Sequence, residues 1–337
     1  MNLAAKRARG SDAEPRYDVI GMGNALVDVI SHVDDAFLET HGMVKGWMDL
    51  IDADRAVAIY GALGAAVEMS GGSAANTIVG VASFRGRGAY IGKVSADDLG
   101  DVFAHDLLAV GVQFHAGGRE TSEPTGRCLI CVTPDAERTM NTFLGASSLL
   151  STDDVDLAAV ADAKVLYMEG YLFDRDDAKA AFRAAAEVAH EAGRMVSLTL
   201  SDSFCVERHR DDFLALVSDQ VDLLFGNETE LTALYQTETL DEAIAEAREH
   251  CPLVACTVGA KGSLVATPDE VLSSPAVPVR RVVDTTGAGD LYAAGFLHGI
   301  TTGRGLLECA QLGSIAAAEV ISHVGPRPLV ELHTLLS

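Results

Sequence analysis

The chain has 337 residues, 48% apolar and 22% charged, a soluble globular balance that excludes wholesale disorder. Lysine and arginine number 25 against 49 aspartate and glutamate. The formal charge of −24 repels phosphate backbones and anionic membrane surfaces, so nucleic acid and membrane are not expected partners. At about 150 residues per domain, the length allows one large or two modest domains. The opening MNLAAKRARGSDAEPR is basic, lacks an apolar signal core, and reads as a flexible arm over residues 1–16. No run of 18 apolar residues occurs, so no membrane span is expected and a soluble, cytoplasmic location is the default.

From Tyr17 onward, short apolar runs alternate with helical patterns, as in β-α units around a mostly parallel sheet. YDVIGMG (17–23) predicts a strand, SAANTIVGVASF (73–84) a helix of small residues, and AYIGKV (89–94) a strand. DLGDVFAHDLLAVG predicts a helix started by Asp98 and stopped by Gly111. AKVLYMEG, DDAKAAFRAAAEVAHEAGR and MVSLTL read as strand, helix, strand; VDLLFG, NETELTALYQ and LVACTVG continue the pattern. GAGDLYAAGFLHGITTG and LLECAQLGSIAAAEVIS predict two apolar C-terminal helices. Two stretches, ALVDVISHV (25–33) and GRCLICVTPDAERTMNTF (126–143), read as strands with few helices between them. They predict a small separate sheet packed over one end of the main one. No internal repeat or linker divides the chain.

The six cysteines sit mostly in apolar stretches and are expected to be buried thiols. Cys128 and Cys131 would face opposite sides of a strand, and no second pair completes a metal site. The ten histidines show no metal-ligand spacing and read as structural.

The most informative segment is VVDTTGAGDLYAAGF (282–296), where a β-like run, VRRVV, meets a glycine loop and a helix starts at once. Gly287 and Gly289 leave the backbone open to a ligand. The first helical turn offers unpaired N–H groups and the positive end of the helix dipole, a ready anion site. Asp290 falls in that same turn. Two readings are open for it: a helix cap, or a general base that accepts a hydroxyl proton as that hydroxyl attacks phosphorus. Further along the chain, Gly71-Gly72-Ser73-Ala74-Ala75-Asn76 again places paired glycines at a helix start. Asn227 and Glu230, three apart, share a helix face at a start expected to be exposed, and Thr257 to Gly262 forms a third glycine loop after a strand.

In these motifs the chain resembles the ribokinase-like (PfkB) carbohydrate and nucleoside kinases, over nearly its whole length from Tyr17. DTTGAGD followed by LYAAGF is similar to the family's C-terminal signature, SGGSAANT to its N-terminal one, and NETE to its N-x-x-E motif. GNALVD (23–28), GVQFHAGGRETSEPTGRC and FGNETE resemble adenosine kinases more than ribokinases. The resemblance implies a three-layer α/β/α fold with a mostly parallel central sheet over residues 17–337. A small β lid would be built from about 24–50 and 112–145.

It further implies transfer of the ATP γ-phosphoryl group to a primary hydroxyl, with adenosine to AMP foremost and a sugar kinase as the alternative. Asp290 would be the base, with the amides of Gly287, Ala288 and Gly289 as the anion hole. Asn227, Thr257, Gly259 and Gly262 would face ATP, and Asn227 with Glu230 would organise magnesium through water. Asn24, Asp28, Gly72 and Asn76 would hold sugar hydroxyls. In one straight strand, four steps of about 3.3 Å would put Asn24 and Asp28 roughly 13 Å apart. The chain must therefore bend there, or only one of them touches the sugar. Arg138 would reach the transferred phosphate from the lid, against the ordinary reading of a surface arginine. A monovalent cation such as K+ could take oxygen ligands from the loops at Asp284 and around Gly325. The implied assembly is a monomer or a lid-mediated homodimer.

Two other readings compete. A sensor on the same fold that binds nucleotide or sugar without turnover would be expected to lack Asp290. A dinucleotide oxidoreductase is suggested only by Gly21-Met22-Gly23, and Leu26 stands where its third glycine belongs. No P-loop sequence G-x-x-x-x-G-K-[ST] occurs.

Overall fold

The structure, a computed structural model, describes residues 14–135 and 137–336. Of the arm expected over 1–16, residues 1–13 lie outside the described part. Arg16 already runs along the body, its backbone N–H donating to Asp162 Oδ1 at 3.0 Å.

The strands are β1 (Tyr17–Met22), β2 (Leu26–His32), β3 (Met48–Leu50), β4 (Ala66–Gly71), β5 (Gly88–Gly92), β6 (Gln113–Ala116), β7 (Gly126–Val132), β8 (Arg138–Phe143), β9 (Ala163–Glu169), β10 (Met195–Thr199), β11 (Leu223–Asn227), β12 (Leu253–Thr257), β13 (Ser263–Ala266) and β14 (Val271–Ser274). The helices are α1 (Asp35–Thr40), α2 (Ala53–Ala62), α3 (Ser73–Ser83), α4 (Asp98–Ala109), α5 (Leu157–Ala161), α6 (Asp176–Glu191), α7 (Ser203–Arg208), α8 (Arg210–Gln220), α9 (Glu228–Tyr235), α10 (Leu240–His250), α11 (Ala288–Thr301) and α12 (Leu306–Val320).

Nine strands form one sheet in the order β14-β13-β12-β11-β10-β9-β1-β5-β6, parallel from β12 through to β6, with β13 and β14 added antiparallel at one edge. Alternate residues of each central strand go to opposite cores, because successive side chains point to opposite faces. Ile20, Leu166, Leu224 and Val254 pack under α5 to α10; Val19, Val165, Leu223 and Leu253 pack under α3, α4, α11 and α12. Helix α6 shows why such segments fold as they do. Its buried Ala178, Ala181, Phe182, Ala185, Ala186 and Ala189 recur at spacings of three and one, a single helical stripe.

The second sheet, β3-β8-β7-β2-β4, sits over the carboxyl end of the first. Its outer face (Val27, Val29, Leu129, Cys131) is covered by Leu38 of α1 and Ile59 of α2. The inner face carries Ile30, Cys128, Ile130, Val132 and Met140. Cys128 and Cys131 thus lie on opposite faces, and all six cysteines are free and buried. Strand β6, inside the stretch 112–145, pairs with β5 in the large sheet, while β4 at 66–71 joins the small one.

The run VRRVV is not a strand. Val282 and Val283 are exposed, and the Val283 N–H donates to Ile321 O at the end of α12, so no neighbouring strand takes up its backbone. Among the described residues no helix is long and apolar enough to cross a membrane.

Candidate active site

Strand β1 lies between β9 and β5, the point where chain order reverses across the sheet. In open α/β sheets ligands bind in the crevice beyond the strand ends at such a point. Here the chain leaves the large sheet at Met22 and enters the small one at Leu26, turning at residues 23–25, while Leu26 to Asp28 already run within β2. Asn24 is 2% exposed in that bend. Its backbone N–H and Nδ2 donate to Glu169 Oε1 at 3.3 and 2.9 Å, and its Oδ1 accepts from Ser147 Oγ at 2.9 Å. Glu169 Oε2 accepts from the Ala74 N–H at 2.7 Å, so one buried carboxylate ties β9, the bend and the start of α3 together. Burial pushes Glu169 up to about 7 against those hydrogen bonds.

Asp28, on the inner face of the small sheet, is buried as well. Desolvation raises its carboxyl to about 6, opposed by the charges of Arg327 and Arg138 and reinforced by Asp290. Gly72 caps α3 with φ +95°, and a Cβ there would overlap Asn24 O, so only glycine lets the bend and the helix start meet.

Asp290 is the third residue of α11 and does not cap it. The cap is Gly287, at φ +79° and without a side-chain hydrogen bond, where a Cβ would come within 2.7 Å of Pro326 O. The Asp290 carboxylate instead crosses to α3, accepting from Ser73 Oγ at 2.7 Å and Asn76 Nδ2 at 3.1 Å. Burial lifts it to about 6, while these two donors favour the charged form. Asp290 is therefore not the N-cap, although as an acid in the first turn it still faces the positive end of the helix dipole. Of the first-turn amides that lack i−4 partners, that of Ala288 donates to Thr285 O at 3.2 Å. Gly289 borders open space, where a methyl group on its Cα would meet nothing within 4 Å.

Arg138 is not a surface residue. Its side chain is 10% exposed and its Nη1 lies 2.9 Å from Asp284 Oδ2, an ion pair joining the small sheet to the loop before the anion site. Asp284 also accepts from Thr286 N, Thr286 Oγ1 and Gly325 N, which brings together the two loops considered for a monovalent cation.

On the other side of the anion site, Asn227 and Thr257 are register partners at the ends of β11 and β12, with Gly259 and Gly262 just beyond. Asn227 and Glu230 form a reciprocal capping box: Asn227 N and Nδ2 donate to Glu230 at 3.0 and 2.6 Å, and Glu230 N donates back to Asn227 Oδ1 at 2.9 Å. Asn227 is exposed as expected, but Glu230 is 7% exposed, because the box folds its carboxylate under the helix start. Burial raises its carboxyl to about 7. Among the described residues no three His, Cys, Asp or Glu side chains converge on a metal-sized site. The side chains of Asn227 and Glu230, the residues considered for magnesium's waters, are engaged with each other in the capping box.

Sequence reasoning singled out neither Glu169 nor Arg327. Glu169 carried one legible signal, an acid at the carboxyl end of a parallel strand, where side chains face the crevice. Arg327 carried none. Its Nε donates to Asn76 Oδ1 at 3.3 Å from a loop 251 residues away in sequence.

A buried carboxylate in the first turn of a glycine-started helix, where the large sheet reverses its order, is compatible with phosphoryl transfer to an alcohol, and the comparisons show that class of enzyme. The chain belongs to the pfkB family of carbohydrate kinases, whose family model matches residues 47–332. It is 29% identical over 331 residues to adenosine kinase 1 of Arabidopsis thaliana, covering 91% of this chain and 94% of that one. Among solved structures it is similar to an adenosine kinase from Sinorhizobium meliloti (51% identity, TM-score 0.87) and a probable sugar kinase from Rhizobium etli CFN 42 (47% identity, TM-score 0.88). Each of these comparisons covers 95% of this chain and 98% of the other.

Proposed function

We propose that the protein phosphorylates adenosine at its 5′-hydroxyl with magnesium ATP. The carrying observation is the Asp290 carboxylate, fixed by Ser73 and Asn76 at the glycine-lined start of α11. In this reading the acceptor hydroxyl lies within hydrogen-bond reach of Asp290, which takes its proton as the oxygen attacks the γ-phosphorus in line. The amides at the helix start stabilise charge on the transferring group, and Arg138 adds a cation from the small sheet. Asn227 and Glu230 would hold magnesium's waters, the ion supplying charge neutralisation along the triphosphate.

Asp28 would bind ribose hydroxyls, with Gly72 leaving room for them, and Asn76, its carboxamide engaged by Asp290 and Arg327, would line the sugar site beside it. Asn24, whose amide is engaged by Glu169 and Ser147, mainly shapes the bend. The inner face of the small sheet is apolar (Ile30, Cys128, Ile130, Val132, Met140), a lining that suits a nucleobase better than a free sugar. The relatives named as adenosine kinases support the same acceptor. The similarity to a probable sugar kinase favours a second reading, a sugar acceptor at the same base.

A coupled ATP-consumption assay over adenosine, other nucleosides, ribose, ketohexoses and a ketodeoxy sugar acid tests the proposal. Adenosine is expected to give the highest kcat/KM. A free sugar better by tenfold, about 1.4 kcal/mol of transition-state binding, would replace the nucleoside reading with the sugar kinase.

A further inference from the structure

Asn76 has both ends of its carboxamide engaged: Nδ2 donates to Asp290 Oδ2 at 3.1 Å, and Oδ1 accepts from Arg327 Nε at 3.3 Å. A carboxamide can present either end to a neighbour by a half-turn about its last torsion. A guanidinium only donates, so the atom facing Arg327 must be oxygen, and the amino group is then turned to Asp290. Arg327 is itself held in place. It stands between Pro326 and Pro328, and Pro326 packs against Gly287 at the start of α11. Its Nη2 is buried without a hydrogen-bond partner. Burial works against its charge, and Asp28 and Asp106 work for it.

We infer that Arg327 is a positioning residue: it fixes the Asn76 carboxamide in the one orientation that gives Asp290 a second donor beside Ser73, and so keeps the base aimed. Its catalytic consequence rests on the reading of Asp290 as the base, whereas the orientation itself does not. Without the guanidinium, Asn76 is free to turn its oxygen toward the carboxylate, and Asp290 then gains by taking up a proton.

The bland alternative is that Arg327 only balances negative charge, in which case any cation would serve. The charged and titratable groups around Asp290 make the distinction necessary. Asp28 of β2, Glu169 and Tyr167 of β9, Tyr171 just after it, and Glu230 of α9 all share its field, and Arg138 of β8 faces Asp28. An ammonium also only donates, so Arg327→Lys would not separate the accounts. Arg327→Met, which removes every donor, does so when read with and without Asn76, because a charge effect persists in Asn76→Ala and a positioning effect does not.

The readout is the titration of the Asp290 carboxyl carbon by carbon-13 NMR in full-length protein labelled at aspartate, with Asp290→Asn assigning the signal. It needs no turnover. Arg327→Met is expected to raise the Asp290 midpoint by about one pH unit, the size of a lost hydrogen bond to a charged group. The shift should vanish when Asn76 is already alanine, since both changes break one link. With substrates, kcat should fall while KM for ATP and the melting temperature hold. A methionine variant that titrates like the parent, or a shift that persists in the Asn76→Ala background, overturns the inference. Should the methionine variant not fold, Arg327→Gln is read in the same pair of backgrounds, and a shift undiminished by Asn76→Ala again overturns it. Absence of turnover in the parent counts against the proposed function alone, and the titration still decides the role of Arg327.

Discussion

Replacing Asp290 by asparagine removes one charge and changes almost no volume, so its effects can be worked out bond by bond. The parent carboxylate accepts from Ser73 Oγ and Asn76 Nδ2. An asparagine keeps one acceptor oxygen and turns an amino group toward the other partner. Ser73 can rotate its hydroxyl to accept, but Asn76, held by Arg327, cannot. The best arrangement therefore keeps the Asn76 bond and reverses the Ser73 bond, at a cost of about 1 kcal/mol or less.

Against this stands relief of a buried charge. The Asp290 carboxyl lies at about 6 in the folded protein against an ordinary 3.8. A raised carboxyl stabilises the fold while protonated, and that contribution is lost as pH rises through about 6. The melting temperature of Asp290→Asn relative to the parent should therefore improve from pH 4 to pH 8. Turnover should behave oppositely. General-base catalysis contributes about 10²- to 10⁴-fold, or roughly 2.7–5.4 kcal/mol, so kcat should fall at least a hundredfold with ATP affinity unchanged or higher. The parent's acid limb, set by protonation of Asp290, should disappear in the variant's residual activity. Stopped-time assays and calorimetry on one purified preparation supply both numbers. Near-normal turnover per folded molecule, with a melting temperature lowered at pH 8, would refute the assignment of Asp290 as base.

Two further outcomes follow from the same geometry. Glu169→Ala leaves three buried donors (Asn24 N, Asn24 Nδ2 and Ala74 N) without their acceptor and should destabilise the protein by about 3 kcal/mol; an unchanged denaturation midpoint would show that Glu169 does not tie the bend to α3. Glu230→Gln keeps one acceptor for the capping box, so the fold should hold within about 1 kcal/mol, while the magnesium concentration for half-maximal turnover should rise severalfold; superimposable magnesium titrations would reduce Glu230 to a structural cap.

Much of the architecture was legible because it is locally encoded. The apolar runs ending at Met22, Glu169, Thr199 and Thr257 are strands, the small-residue stripe of α6 is a helix, and DTTGAGD opens α11 with Asp290 in its first turn. Local reading failed where the deciding partner was distant. VRRVV has the composition of a strand, but Val283 finds the end of α12 instead of a sheet edge. Glu230 is the exception: the capping box that folds it inward is made with Asn227 only three residues away, a pattern the sequence does carry. Arg138 looks like any surface arginine until Asp284, 146 positions later, meets it across the crevice.

The sequence by itself thus determined which segments are strands and helices, and which glycine loop precedes the base, because backbone propensity and side-chain period act over a few residues. Only the tertiary structure decided what surrounds that base. Glu169, Asn76, Asp290 and Arg327 come from a strand end, two helix starts and a C-terminal loop, and become neighbours only where the sheet reverses its order. Hydrogen bonds and charges act over a few ångströms of space whatever the distance along the chain, and no local pattern records that.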